Sequence, residues 1–172
     1  MNEVICSMIE RRSCRKFQDR QVDEAALQEI LEAGTYAASG MGRQSPILVA
    51  VQDPEQVALL SKLNAAVMGS DKDPFYGAPM VVVVLADSSV RTCIEDGSLV
   101  IGNLMLAAST LGVASCWIHR AREVFASEEG KRLMAQWGVP EGCIGVGHCI
   151  LGYAAAAPAP GKERKSDFVV RV

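Results

Sequence analysis

Apolar residues recur along this chain with two different periods, and the switches between them mark out the elements. In "NEVICSMIE" (residues 2–10), Val4, Ile5, Met8 and Ile9 fall on one face at helical spacing. A second helix is predicted over "VDEAALQEILEAGTYA" (22–37), with Asp23 as N-cap and Leu27, Ile30 and Leu31 along one side. "ILVAV" (47–51) reads as a buried strand. Residues 53–67 open on Asp53-Pro54, an N-cap followed by proline at the first helical position. "MVVVVLA" (80–86) is apolar on both faces, which predicts a central strand. Residues 91–111 predict a long helix, apolar on all sides and ended by Gly112. "VASCWIH" (113–119) and "CIGVGHCILGY" (143–153) predict strands, with a helix over 128–138 between them. The glycines of the last strand are expected to permit close packing.

Two loops interrupt this order: "SGMGRQSP" (39–46), rich in glycine, and "GSDKDPFYGAP" (69–79). There are no internal repeats and no shift in composition, so residues 1–172 are expected to form a single domain. The segment 154–172 is polar and Ala/Pro-rich, then regains apolar character in "FVV". Such an extension is expected to dock on a partner subunit. Strands alternating with helices predict, by themselves, a doubly wound α/β domain.

Composition narrows the classes. Hydrophobic residues make up 49% and charged residues 22%, the balance of a globular domain with a core. The longest apolar stretch, "APMVVVVLA", is far too short to cross a bilayer, and no signal peptide is legible near the start. A net charge of −3 argues against general nucleic-acid binding. The six cysteines form no CxxC pair and, with two histidines, no set of zinc spacing. Reduced thiols in a cytoplasmic protein are the expectation.

Against this acidic background, "ERRSCRKF" (10–17) concentrates Arg11, Arg12, Arg15 and Lys16. These cations either complement the C-terminal end of the first helix or hold a small anion. A second basic cluster, "GKERK" (161–165), lies at the far end of the chain.

Taken in order, "RRSCRKF", "ASGMGRQSP", "YGAPMVVVVLAD", "LGVASCWI" and "LGY…PGKERK" resemble the nitroreductase family of flavin enzymes and cover nearly the whole chain. The resemblance implies an α+β fold with a mixed, largely antiparallel sheet flanked by helices. It also implies an interlocked homodimer that exchanges C-terminal extensions and binds FMN at the interface. By the same resemblance Arg11, Lys162 and Arg164 hold the FMN phosphate, for which arginine's planar fork is well suited. Arg15 lies by N1 and O2 of the ring, where a cation raises the reduction potential. Arg12 and Ser13 add ring or ribityl contacts.

The matching loop carries Ser39, Met41 and Gln44 onto the ring and ribityl chain, often across the interface. Gly40 and Gly42 would let the backbone come close, although an ordinary surface turn has the same composition. Here the chain departs from the family pattern, with Gly42 where relatives often carry Asn, and Gln44-Ser45-Pro46 in place of Gln-Pro-Trp. Trp117, Ile118 and His119 match the strand end whose backbone N–H groups donate to flavin N5 and O4. His119 is expected to act through its backbone rather than its ring. Phe75 and Tyr76 either line a substrate pocket or pack in the core.

The implied activity is NAD(P)H-dependent hydride transfer through flavin N5, ping-pong, to nitroaromatic, quinone or flavin acceptors. No catalytic side chain and no metal are assigned. No GxGxxG follows a strand, so NADH or NADPH would bind transiently over the flavin. The chain is short for the family, which implies an open, permissive pocket. Two other readings stand beside this one: the same fold used for reductive dehalogenation or dehydrogenation, and a flavin-binding protein without turnover.

Overall fold

The computed structural model describes all 172 residues. In chain order the elements are α1 (Glu3–Glu10), α2 (Glu24–Thr35), a 3-10 turn (Gly40–Gly42), β1 (Pro46–Val51), α3 (Pro54–Met68) and β2 (Met80–Asp87). They continue with α4 (Cys93–Thr110), β3 (Ala114–Ile118), α5 (Ala121–Ala126), α6 (Glu128–Gln136) and β4 (Cys143–Gly152). Every helix and strand expected from the apolar pattern is present. α5 is additional, because six residues are too few to display a helical period.

Local chemistry sets the helix ends. The Asn2 side chain accepts from the N–H of Ile5, and Asp53 accepts from the N–H of Gln56 with Pro54 at the first helical position. Asp23 occupies the N-cap position of α2 but makes no side-chain capping bond. Its carboxylate instead accepts from the Tyr153 hydroxyl at 2.8 Å and from Arg20 at 2.9 Å. Those two partners hold it below the usual carboxylate range, Tyr153 foremost. Gly112, at φ +70°, ends α4 as expected.

The sheet runs β1-β2-β4-β3, and each neighbouring pair is antiparallel. A doubly wound parallel sheet is therefore ruled out. The apolar pattern could not reveal this, since any strand covered on both faces by helices reads as a continuous apolar run. The one parallel pairing is an isolated bridge between Ser13 and Ser115. One face of the sheet packs on α3, α5 and α6 through Leu60, Val83, Phe125 and Ile150. The other packs on α2 and α4 through Ile30, Val82, Leu104 and Cys149. β2 lies between these two cores and is buried from Met80 to Ala86.

The β4 glycines do allow close approach. A Cβ at Gly147 would stand 2.6 Å from Ile101 Cδ1 and 2.7 Å from Trp117 Nε1, and one at Gly145 would strike the Ala121 carbonyl. No helix is long and apolar enough to cross a membrane.

Candidate functional site

The basic stretch leaves α1 and runs along the free edge of β3. The N–H of Cys14 donates to the Ser115 carbonyl at 2.9 Å. Further on, Gln18 N–H donates to Tyr153 O at 2.8 Å and Ala155 N–H to Lys16 O at 2.9 Å. The start of the C-terminal extension is thus stitched to the start of the chain.

The two leading arginines have different surroundings. Arg12 Nη1 donates to the carbonyls of Ile9 (2.6 Å) and Arg11 (2.8 Å), which makes it a complement to the end of α1. Gly161 lies directly against its guanidinium: a Cβ there would stand 2.7 Å from Arg12 Cζ. Arg11 turns inward. Its Nη1 is fully buried and has no hydrogen-bond partner. Arg11 as a whole borders a cavity of about 260 Å³ that Ser7, Arg12, Cys14, Ser115 and Pro158 also line. The Cys149 thiol is pushed up to about 12 by burial, with Cys116 adding to the rise and Arg11 opposing it.

A buried cationic N–H without an acceptor costs about 1–3 kcal/mol or more; the cavity itself gathers Arg11, Arg12, Ser7 and Ser115, a donor set that suits an anion. The Glu10 carboxylate on the rim works against one. Ser13 is half-buried; Arg15, Lys162 and Arg164 are exposed.

The 39–45 loop is built around a buried carboxylate. Asp96, in the first turn of α4, accepts from Gly40 N–H (2.9 Å) and from the hydroxyls of Thr92 (3.1 Å) and Ser45 (3.3 Å). Gln44 N–H donates to Ser39 Oγ at 3.1 Å. Met41 and Gln44 both adopt positive φ, an unfavourable conformation for residues with a Cβ. Both side chains point to solvent, Met41 at 84% exposure.

This loop sits at the N-terminal end of α4, whereas the Arg11 cavity adjoins Ser109 and Gly112 at the C-terminal end. The 18 residues of α4 span about 27 Å. Within one chain, the two groups of predicted residues are therefore far apart.

At the end of β3, Trp117 is half-buried with its Nε1 unpaired, Ile118 is in the core, and the His119 ring is exposed. The His119 carbonyl accepts from Asn64 Nδ2 at 2.7 Å. Arg120 follows at φ +73° and donates from Nε to Asn64 Oδ1 at 2.9 Å. His148, the other histidine, is wholly buried between Phe75 and Phe125. Burial pushes it down to about 4, with the backbone of Ile118 and His119 pulling the other way.

Sequence reasoning passed over Asn64. Its signal was a polar residue at helical spacing from Val57 and Leu60, where the core face of α3 calls for an apolar one. Phe75 packs in the core, while Tyr76 is exposed at φ +56°. A cleft of about 910 Å³ between α3 and the 69–79 loop is lined in part by Phe75 but by none of the residues expected to hold FMN.

Comparison with known proteins adds to this geometry. Residues 8–153 match the model of the nitroreductase family. A candidate NADH dehydrogenase/NAD(P)H nitroreductase of Archaeoglobus fulgidus is 30% identical, over 89% of this chain and 86% of its own length. A nitroreductase from Bacteroides fragilis, solved with bound FMN, superposes with a TM-score of 0.92 at 31% identity, covering all of both chains. A second FMN-bound nitroreductase, from Desulfitobacterium hafniense, gives 0.90 at 28%, over 100% of this chain and 99% of its own. The chain belongs to the nitroreductase family, a family of enzymes.

Proposed function

We propose that the protein is an FMN-dependent oxidoreductase that takes electrons from NADH or NADPH and passes them to nitroaromatic, quinone or flavin-type acceptors. The observation that carries this is the cavity lined by Arg11, Arg12, Ser7, Ser115 and the extension residues Ala154 and Pro158, with Arg11 drawn inward so that its Nη1 is buried without a partner. That donor set suits a phosphate dianion. Arg11 holds the phosphate, joined by Lys162 and Arg164; the packing of the neighbouring Gly161 on Arg12 supports this. Arg15, exposed two residues further along the segment than Ser13, supplies positive charge at the ring, and Ser13 contributes to the ribityl side. The backbone of Trp117, Ile118 and His119 borders the ring. When bound, FMN supplies the hydride chemistry at N5, in which each half-reaction uses the same face in turn. The protein contributes position, electrostatics and the exclusion of water.

The working unit is a homodimer with two shared sites. The Ser39–Gln44 loop lies on Asp96 near the start of α4 and the Arg11 cavity on Ser109 and Gly112 at its end, a placement that suits a loop serving the site of a second copy. An apolar face available for such pairing lies on α1, where Val4, Ile5, Met8 and Ile9 are all about half exposed, and Leu99 of α4 is exposed to a similar degree. Phe168, Val169 and Val170 of the extension are exposed as well, as expected for a segment that docks on a partner. Titration of FMN-free protein with FMN, followed by quenching of flavin fluorescence, tests the reading: saturation at one FMN per chain supports it, and no binding refutes it.

A further inference from the structure

Asn64 is fully buried on the core face of α3, yet it spends its amide on two consecutive residues just past the end of β3, the second of them at positive φ. Its Nδ2 donates to the His119 carbonyl at 2.7 Å, and its Oδ1 accepts from Arg120 Nε at 2.9 Å. Arg120 sits at φ +73°, a conformation that costs a non-glycine residue about 1–2 kcal/mol and persists only where neighbours enforce it. His148 Nδ1 lies 3.5 Å from the same amide nitrogen, so the hub is enclosed on that side too.

A trans peptide points its C=O and its N–H in opposite directions. Drawing the His119 carbonyl inward to α3 therefore turns the Arg120 N–H outward, away from the core and onto the side where His119 is exposed. The amide is matched to this task. Aspartate keeps an acceptor for Arg120 but has no donor for His119, and leucine offers neither.

We infer that Asn64 is a positioning residue of the flavin site: together with the Arg120 side chain it fixes the 118–120 backbone so that its N–H groups are aimed at the cofactor ring. This rests on the reading that FMN lies against this strand end. A fixed donor there favours the more electron-rich, reduced ring, so its loss moves the midpoint potential in the negative direction.

The test compares FMN-loaded wild-type, Asn64→Asp, Arg120→Ala and Arg120→Gly proteins. Three readouts are used: FMN dissociation constant, midpoint potential, and the hydride-transfer rate constant with NADH or NADPH under anaerobic single turnover. Asn64→Asp is expected to slow hydride transfer roughly 10- to 100-fold, as misplacement of a reacting group does. It should shift the potential negative while changing FMN affinity only a few-fold, because the phosphate contacts are remote. Arg120→Ala should behave alike. Arg120→Gly should be affected less, since glycine adopts positive φ without a clamp. A folded, FMN-loaded Asn64→Asp protein with wild-type potential and rate overturns the proposal. If Asn64→Asp does not fold, equal wild-type potentials for Arg120→Ala and Arg120→Gly overturn it instead. Wild-type protein that binds no FMN overturns the parent reading and this proposal together.

Discussion

Gly161 rests on the guanidinium of Arg12, so the two basic clusters from opposite ends of the sequence meet in one place. A side chain at position 161 would begin 2.7 Å from Arg12 Cζ and 2.8 Å from Nε. On the proposed reading, Lys162 and Arg164, which follow Gly161, add their charge to the phosphate site from there. Gly161→Val should push Arg12 aside and weaken FMN binding by about 1 kcal/mol, roughly fivefold in Kd. Fluorescence titration reads this directly; an unchanged Kd would mean that the extension does not help to hold the cofactor.

Arg11 should matter more, because its buried Nη1 has no alternative partner. Arg11→Ala removes a charge-assisted contact worth about 1.5–3 kcal/mol, or roughly 10- to 150-fold in FMN affinity. Riboflavin, which lacks the phosphate, should bind the variant and the wild-type protein equally. An equal loss for both ligands would place Arg11 elsewhere than on the phosphate.

A shared site can be tested by complementation. Gly40 packs against Thr92, and a Cβ there would stand 3.2 Å from Thr92 Cβ, closer still to its hydroxyl. Gly40→Val should therefore disrupt the 39–45 loop, while Arg11→Ala disrupts the opposite cavity. If each site takes its cavity from one chain and its loop from the other, mixing the two variants restores about a quarter of the sites through heterodimers. No recovery after unfolding and joint refolding would mean that each site is built within one chain.

His148 gives the fold an acid-sensitive element. Its pKa is held down to about 4 in the folded state against 6.5 for a free side chain. Between those values the unfolded chain binds the extra proton, so stability falls as pH drops through that window, by about 3 kcal/mol in all. The contribution is intact above pH 6.5 and gone below 4. Urea denaturation of wild-type and His148→Phe proteins at pH 7, 5.5 and 4.5 checks this. The variant should lose less stability on acidification, and parallel curves would show that His148 does not titrate with unfolding.

Much of this was legible in the chain because it rests on local chemistry. Asp53-Pro54 starts α3, Gly112 ends α4, and the unbroken apolar run of 80–86 marks a strand enclosed on both sides. Strand direction was not legible, because β2 is equally apolar whether its neighbours run parallel or antiparallel. The division of labour between Arg11 and Arg12 was also hidden. Adjacent residues of identical type differ here only in which way the backbone turns after α1, one inward to the cavity and one back to the Ile9 carbonyl. Asn64 was overlooked since its partners, His119 and Arg120, lie more than fifty residues away.

The central claim is that this chain binds FMN and receives electrons on it from a nicotinamide donor. The most direct measurement is the visible spectrum of the FMN-loaded protein during anaerobic titration with NADH and, separately, NADPH. The account predicts that the flavin bands bleach with at least one donor, at one equivalent per FMN, and return when a quinone or nitroaromatic acceptor is added. Flavin bands that persist through excess of both donors would contradict it.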